Sequence, residues 1–393
     1  MKYFTQGSVS AAVLAFAIGF ADVAVAQDAT IKVGGRLMLD YLSADVNSPD
    51  VSVETTAVRR ARLAASGKYG DAVSYKFEVN YTTGSDLELT DGFIKFQPKG
   101  QKAFIKVGQY KTHNSLEEET SSRYTTTIER GSFTDTFELN RRLGVSVGTS
   151  GDNFTAIAGV FSESVDGGAF ENNGNAIAAR GTYLPYQDND TLVHVGASWR
   201  YRNAADAIDP AVNDGLRYRQ RPYANQFGSD NTGGILSSGR IIATPRFAKS
   251  DNFYAAEGLV IHKNLWAAGE YALTEANGAD GNADASFGGG YLEAGIMFGG
   301  KRTYAKSTGR FNAPKVDNPV GSGGYGAFSL VARYDTIDLQ DGPYLGKMES
   351  VILGADWHPT KQSRLRLNYF DSNATNGAAE SASGFLARLG FNF

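Results

Sequence analysis

The chain has 393 residues, 46 of them Gly, with 12% aromatic and only 20% charged residues, four His, no Cys and a formal net charge of −4. The lack of Cys excludes disulfide scaffolds, thiolate zinc sites and cysteine nucleophiles, and four scattered His argue against a histidine metal cluster, so neither metal nor cofactor is expected. The abundance of Gly, Tyr, Phe, Thr, Ser and Asn suits short strands and turns rather than helices.

The first 26 residues read as a leader. Lys2 supplies a positive start, residues 9–21 form an apolar run, and Ala24-Val25-Ala26 is a small-residue cleavage site before Gln27. A transmembrane anchor needs an apolar stretch of about 20 residues, and Asp22 interrupts this one. The expected organisation is a cleaved signal peptide over 1–26 and one domain over 27–393.

Beyond the leader the pattern is alternation. In the last segment Phe385, Ala387, Leu389, Phe391 and Phe393 share one face, and Arg388, Gly390 and Asn392 the other. Leu365, Leu367 and Tyr369 oppose Arg364, Arg366 and Asn368 in the same way. This period of two marks strands. Strands are expected near 31–42, 56–69, 72–83, 90–97, 103–110, 141–149, 154–162, 176–184, 192–202, 253–263, 265–274, 288–299, 325–335, 349–358, 363–371 and 384–393. Apolar faces ending in Tyr41, Tyr69, Tyr81, Tyr183, Trp199, Tyr201 and Trp357 suit aromatic girdles at two membrane interfaces. Polar faces carrying Glu78, Arg180, Arg200, Glu270, Arg333 and Arg366 suit a water-filled lumen better than the dry core of a soluble sandwich. The fold class is therefore all-β, a transmembrane antiparallel barrel of sixteen strands, exported to an outer membrane.

Two links are too long for ordinary turns, residues 111–140 and 203–252. The first holds Glu117-Glu118-Glu119, Glu129-Arg130 and His113-Asn114-Ser115, which reads as polar loop rather than as a catalytic arrangement. The second holds Arg217, Arg219 and Arg221, whose spacing in an extended segment gives a row with steps of about 7 Å on one side. Arg60 and Arg62 repeat that spacing; alternation puts Arg59 on their opposite face, so only a bulge or a strand end would bring it to the lumen. Guanidinium groups offer a planar fork of donors and stay charged, which suits phosphate oxygens. Residues 57–111 carry ten Lys or Arg against five Asp or Glu, and residues 200–249 eight against four. Screening within about 8 Å lets such local excess outweigh the negative total. For Arg240 and Arg246, facing water or lipopolysaccharide phosphates is as good a reading as a pore role. No nucleophile with a nearby base suggests an enzyme, and the Gly-rich tracts at 288–290 and 321–324 lack the lysine of a phosphate loop.

Three motifs carry a resemblance. They are Val58-Arg59-Arg60-Ala61-Arg62-Leu63 with Gly67-Lys68, then Val107-Gly108-Gln109-Tyr110-Lys111 followed by Ile128-Glu129-Arg130 and Arg141-Arg142-Leu143-Gly144, and Arg217-Tyr218-Arg219-Gln220-Arg221-Pro222. In this order the chain resembles the phosphate-selective porins O and P, sixteen-stranded trimeric channels of the outer membrane. The resemblance implies an inward-folded third loop over 111–140, a paired-arginine constriction at Arg59 and Arg60 with Arg62 beside it, and Asp91 as the acidic residue facing it. It further implies an arginine ladder of Arg217, Arg219, Arg221 and Arg240, and lysines of the vestibule at Lys106 and Lys111. Glu129-Arg130 and Arg141-Arg142 read more readily as ion pairs pinning the loop to the wall. Glu117, Glu118 and Glu119 depart from what an anion path needs.

The functional expectation is passive diffusion of small anions, with phosphate or polyphosphate first among them, by a homotrimer set in outer-membrane lipid and lipopolysaccharide, with no nucleic-acid partner. A general or differently selective porin for dicarboxylates or sugars, and a barrel enzyme or adhesin, stay open beside it.

Overall fold

The computed structural model describes residues 29–47, 50–83, 86–165, 173–204, 215–279 and 281–393, so the expected leader lies outside the described residues. The first strands are β1 (Ala29–Asn47), β2 (Val51–Tyr69), β3 (Val73–Tyr81), β4 (Glu88–Phe96), β5 (Ala103–Lys111), β6 (Arg141–Ser150) and β7 (Phe154–Phe161). Next come β8 (Asn173–Gln187), β9 (Thr191–Ala204), β10 (Arg219–Gln220), β11 (Ile242–Ala243), β12 (Ala248–His262), β13 (Leu265–Gly278) and β14 (Ala285–Phe298). The last are β15 (Gly300–Ala305), β16 (Arg310–Val316), β17 (Ala327–Asp338), β18 (Lys347–His358), β19 (Ser363–Thr375) and β20 (Ser381–Asn392).

Sixteen of these form one closed antiparallel barrel, in which β20 returns to pair with β1. They are the sixteen expected from alternation. β10 with β11, and β15 with β16, form separate two-stranded sheets. Closure removes the edges that an open sheet would expose in lipid. The outward face is apolar: Leu365 and Leu367 are 48% and 47% exposed, while Arg364 and Arg366 on the other face are 7% and 3% exposed. Tyr41, Tyr69, Tyr81, Tyr183, Tyr201 and Trp357 also stand exposed on the outer surface.

The lumen differs from the expectation that its charges face open water. Arg200, Arg202 and Arg388 are among the largest fully buried side chains. They are covered by chain folded into the barrel and matched by carboxylates. Arg202 donates to Asp251, Arg388 to Asp40 with two bonds of 2.7 Å, and Arg180 to Glu257. Such buried charges are costly unless paired and hydrogen-bonded.

Three segments fill the interior. The link between β5 and β6, residues 112–140, runs inside the wall as an inner loop with two short helical turns, Leu116–Glu119 and Ser132–Thr136. The first turn is capped by Ser115, whose hydroxyl accepts from the amides of Glu117 and Glu118. Glu270 accepts from the amides of Leu116 and Glu117 at 2.8 Å each, Asp335 from that of Ser132, and Asn368 from that of Ile128. The second segment, around β10 and β11, packs Tyr218, Tyr223, Phe227 and Phe247 with Phe133 and Phe137 of the inner loop into one apolar core. The third is the β15–β16 hairpin, in a link that alternation alone leaves as plain loop. It rises from the end of the barrel that carries short turns such as Gly70-Asp71 and Lys263-Asn264. Its Tyr304 hydroxyl lies 2.6 Å from His194 Nδ1, and Arg180 of the wall donates to the carbonyls of Thr308 and Gly309.

Candidate functional site: an off-centre cavity

Because these segments pack against the later strands, the open space lies to one side. A cavity of about 930 Å³ is walled by β1 to β5 and closed by the inner loop, the segment around β10, and Arg310 at the start of β16. None of the described residues in β7 to β9, β12 to β14 or β17 to β20 lines it. Fifteen Lys or Arg side chains line it against seven Asp or Glu, the reverse of the sign of the whole chain.

Two bulges aim side chains into it. Met38 pairs with Arg60 and Leu39 with Val58, so Arg59 is the extra residue of β2 and turns inward beside Arg60. Plain alternation would have sent Arg59 to the lipid face; the bulge supplies the condition the sequence reading required. In β4, Glu78 pairs with Asp91 and Val79 with Leu89, leaving Thr90 as the extra residue, whose hydroxyl donates to the Glu78 carbonyl. A third break in alternation falls at Gly108, with φ +130°, where an added Cβ would lie 2.1 Å from the Gly92 carbonyl oxygen. Only glycine fits there, and after it both Gln109 and Tyr110 are buried.

Of the ten residues singled out in the sequence, Arg59, Arg60, Arg62, Asp91, Lys106, Lys111, Arg219, Arg221 and Arg240 all line this cavity. Arg217 does not: it shares the half-buried side of β10 with Arg219 and Arg221, but lies beyond the lining, so the row delivers two guanidinium groups rather than three. Asp91 does not face Arg59. It bonds Lys76 at 2.5 Å and Arg141 Nε at 2.7 Å, and the carboxylate on Arg59 is Glu129, by two bonds of 3.2 Å. The bulge turns Asp91 towards those partners.

The cations fall into two groups. Arg62 donates to Glu78 and Asn80, Lys111 lies 3.1 Å from Glu118, and Arg221 and Arg240 share the Asp135 carboxylate. Arg60 and Arg219 make no side-chain hydrogen bond or ion pair among the described residues, although both line the cavity. Nor does Lys106 have a carboxylate partner among the described residues; its ammonium sits 3.9 Å over the Phe93 ring and 3.8 Å over that of Tyr110.

The inner-loop carboxylates that argued against an anion path are consumed internally. Glu117 bonds Arg333 at 2.6 Å, Glu118 bonds Lys111 and Arg130, and Glu119 faces His113 and Arg310. The expected loop-pinning pairs are present in part: Glu129 reaches Arg59 and Arg388 on the wall, Arg130 stays within the loop, and Arg141 meets Asp91. Burial disfavours the charged form of Glu129, but Arg59 and Arg388 outweigh it and hold its carboxyl well below the usual range. Burial opposes charge on Glu119 likewise, and His113 and Arg310 bring it down to about 2. For Arg219, burial and then the neighbouring Arg240 and Arg217 lower its value to about 10, so it stays cationic near neutrality.

Sequence reading missed Arg310. Its partner, the Glu119 carbonyl, is 191 positions away, and no motif surrounds it. Arg36 was missed as well, although it sits on the inward face of β1, where it donates to Glu78 and Ser122; alternation could have found it.

Chains of known structure share this architecture. An anion-selective porin from Comamonas acidovorans superposes with a TM-score of 0.60 at 13% identity, covering 93% of this chain and all of that one. OmpT of Vibrio cholerae superposes at 0.57 and 11% identity, over 95% of this chain and all of its own. In sequence, Porin O of Pseudomonas aeruginosa is 25% identical over 403 residues, 93% of this chain and 88% of that protein. An uncharacterized protein of Caulobacter vibrioides is 29% identical over 358 residues, 87% of this chain and 68% of its own. Residues 31–393 match the family described as phosphate-selective porin O and P, and with its closed barrel of sixteen strands the chain belongs to that family of outer-membrane channels and is not an enzyme.

Proposed function

We propose that this porin passes small anions down their gradient, with inorganic phosphate or short polyphosphate as preferred cargo, and that it assembles as a homotrimer with its aromatic outer face in outer-membrane lipid and lipopolysaccharide. The observation that carries this reading is the pair of uncommitted guanidinium groups, Arg60 and Arg219, in a cavity whose lining has an excess of cations. An incoming phosphate exchanges water for charge-assisted hydrogen bonds to these groups, while Arg59, Arg62, Arg221 and Arg240 add field. Several moderate contacts in series let an ion enter and leave, where one tight site would hold it. Likeness to Porin O supports the choice of phosphate among anions.

The test is single-channel recording in a planar bilayer. Added phosphate is expected to block chloride current in the wild type, and an Arg60→Ala, Arg219→Ala double variant is expected to lose that block while retaining conductance. Chloride current indifferent to phosphate in the wild type would remove the phosphate assignment.

A further inference from the structure

We propose that Glu129 and Asp135 are built-in competitors for the passing anion: by occupying Arg59, Arg221 and Arg240, they set how long the anion stays. This rests on the anion-channel reading above. Both carboxylates belong to the inner loop and line the cavity, with side chains 15% and 41% exposed. Each bridges two guanidinium groups. Glu129 takes two bonds from Arg59 and one of 2.8 Å from Arg388; Asp135 takes one from Arg221 at 3.0 Å and one from Arg240.

The bridges are unequal, which gives them a function beyond pinning. Arg388 is already fixed by two bonds to Asp40 and one to the Ile128 carbonyl, and Arg240 also donates to the Arg219 carbonyl. Arg59 and Arg221, by contrast, make no side-chain bond among the described residues other than to Glu129 and Asp135. Removing either carboxylate therefore frees one cavity-facing guanidinium and leaves the second arginine of the bridge held. The two groups so freed line the same cavity. A carboxylate and a phosphate present similar oxygens to a guanidinium fork, so the inner loop offers the arginines a weak, tethered substitute for the cargo. It keeps the ladder from closing fully around one ion, and release stays fast.

The test compares wild type, Glu129→Gln and Asp135→Asn in planar bilayers, with phosphate block and the chloride-to-potassium permeability ratio as readouts. Each variant is expected to lower the half-blocking phosphate concentration by about tenfold, the effect of one added charge-assisted bond, and to raise the chloride preference. A purely structural role would instead loosen the inner loop, raising conductance and weakening block, and that result overturns the proposal, as does unchanged block in a variant that inserts normally. If the wild type shows no phosphate block, the phosphate reading fails by itself, and the permeability ratio still decides: a rise supports the competitor role and no rise ends it. Should Glu129→Gln fail to fold, Asp135→Asn carries the same two readouts.

Discussion

At the scale of single residues, what separates the cavity arginines is whether a carboxylate already holds them. Arg60 is adjacent to Arg59 in sequence, yet Arg59 is bonded to Glu129 and Arg60 has no such partner among the described residues. Arg60→Ala should therefore weaken phosphate block by about ten- to a hundredfold, from bonds of about 1.5–3 kcal/mol. Arg59→Ala should change it by no more than about threefold; titration of channel block by phosphate checks both. The pH dependence has a definite sign. Arg219, lowered to about 10, is protonated throughout the neutral range and loses its charge as pH rises through that value. Anion preference in a KCl gradient should fall as pH rises into the alkaline range, and the part of that fall around pH 10 should be smaller in Arg219→Ala. Only part of the cavity was legible from spacing: intervals of two put Arg60 with Arg62 and Arg219 with Arg221 on common sides, whereas Asp91, Lys106, Lys111 and Arg240 rested on the family resemblance and Arg59 needed a bulge. Partner identity was not: the bulge at Arg59 and the meeting of Glu129 with Arg388, 259 positions later, are products of closure.

At the scale of elements, the inner loop and the β15–β16 hairpin act as inserts held by ion pairs and carbonyl bonds. The loop was visible as a link too long to be a turn. The hairpin was not, since Lys301, Arg302, Arg310 and Lys315 look like solvent-facing loop residues until Arg302 is seen donating to the Tyr124 carbonyl and Arg310 to that of Glu119. Replacing residues 301–315 by a short glycine link should leave the barrel intact and raise single-channel conductance, because the hairpin's bonds run inward to the loop and wall. Conductance of the refolded variant checks this. For the loop, depressed carboxylates give stability that is present above the unfolded values near 4 and is lost as pH falls through the folded ones. Glu119 at about 2, with Glu129 also far below its usual range, predicts that their ion pairs with Arg310, Arg59 and Arg388 persist at pH 4. Loss of these pairs, read as enlarged conductance states on stepping pH on one channel, should set in as pH approaches about 2.

At the scale of the molecule, the barrel followed from alternation alone, since an outward face of Leu, Val and aromatic residues opposite Arg, Glu and Asn has few other homes. What alternation could not say is that three segments fold into the lumen and that the cation-rich cavity lies against β1 to β5, because that depends on where aromatic residues of two distant loops meet. The cysteine-free chain offers a clean check. Cysteines at Lys32 and Ser66, which line the cavity, should react with a negatively charged thiol reagent and reduce current, whereas cysteines at the fully buried Ser350 and Ser372 should not. The most direct measurement of the whole account is the reversal potential of the wild-type channel across a KCl gradient. A potential directed by chloride, moving towards zero in the Arg60→Ala, Arg219→Ala variant, is the predicted result; a potassium-directed potential in the wild type would contradict it.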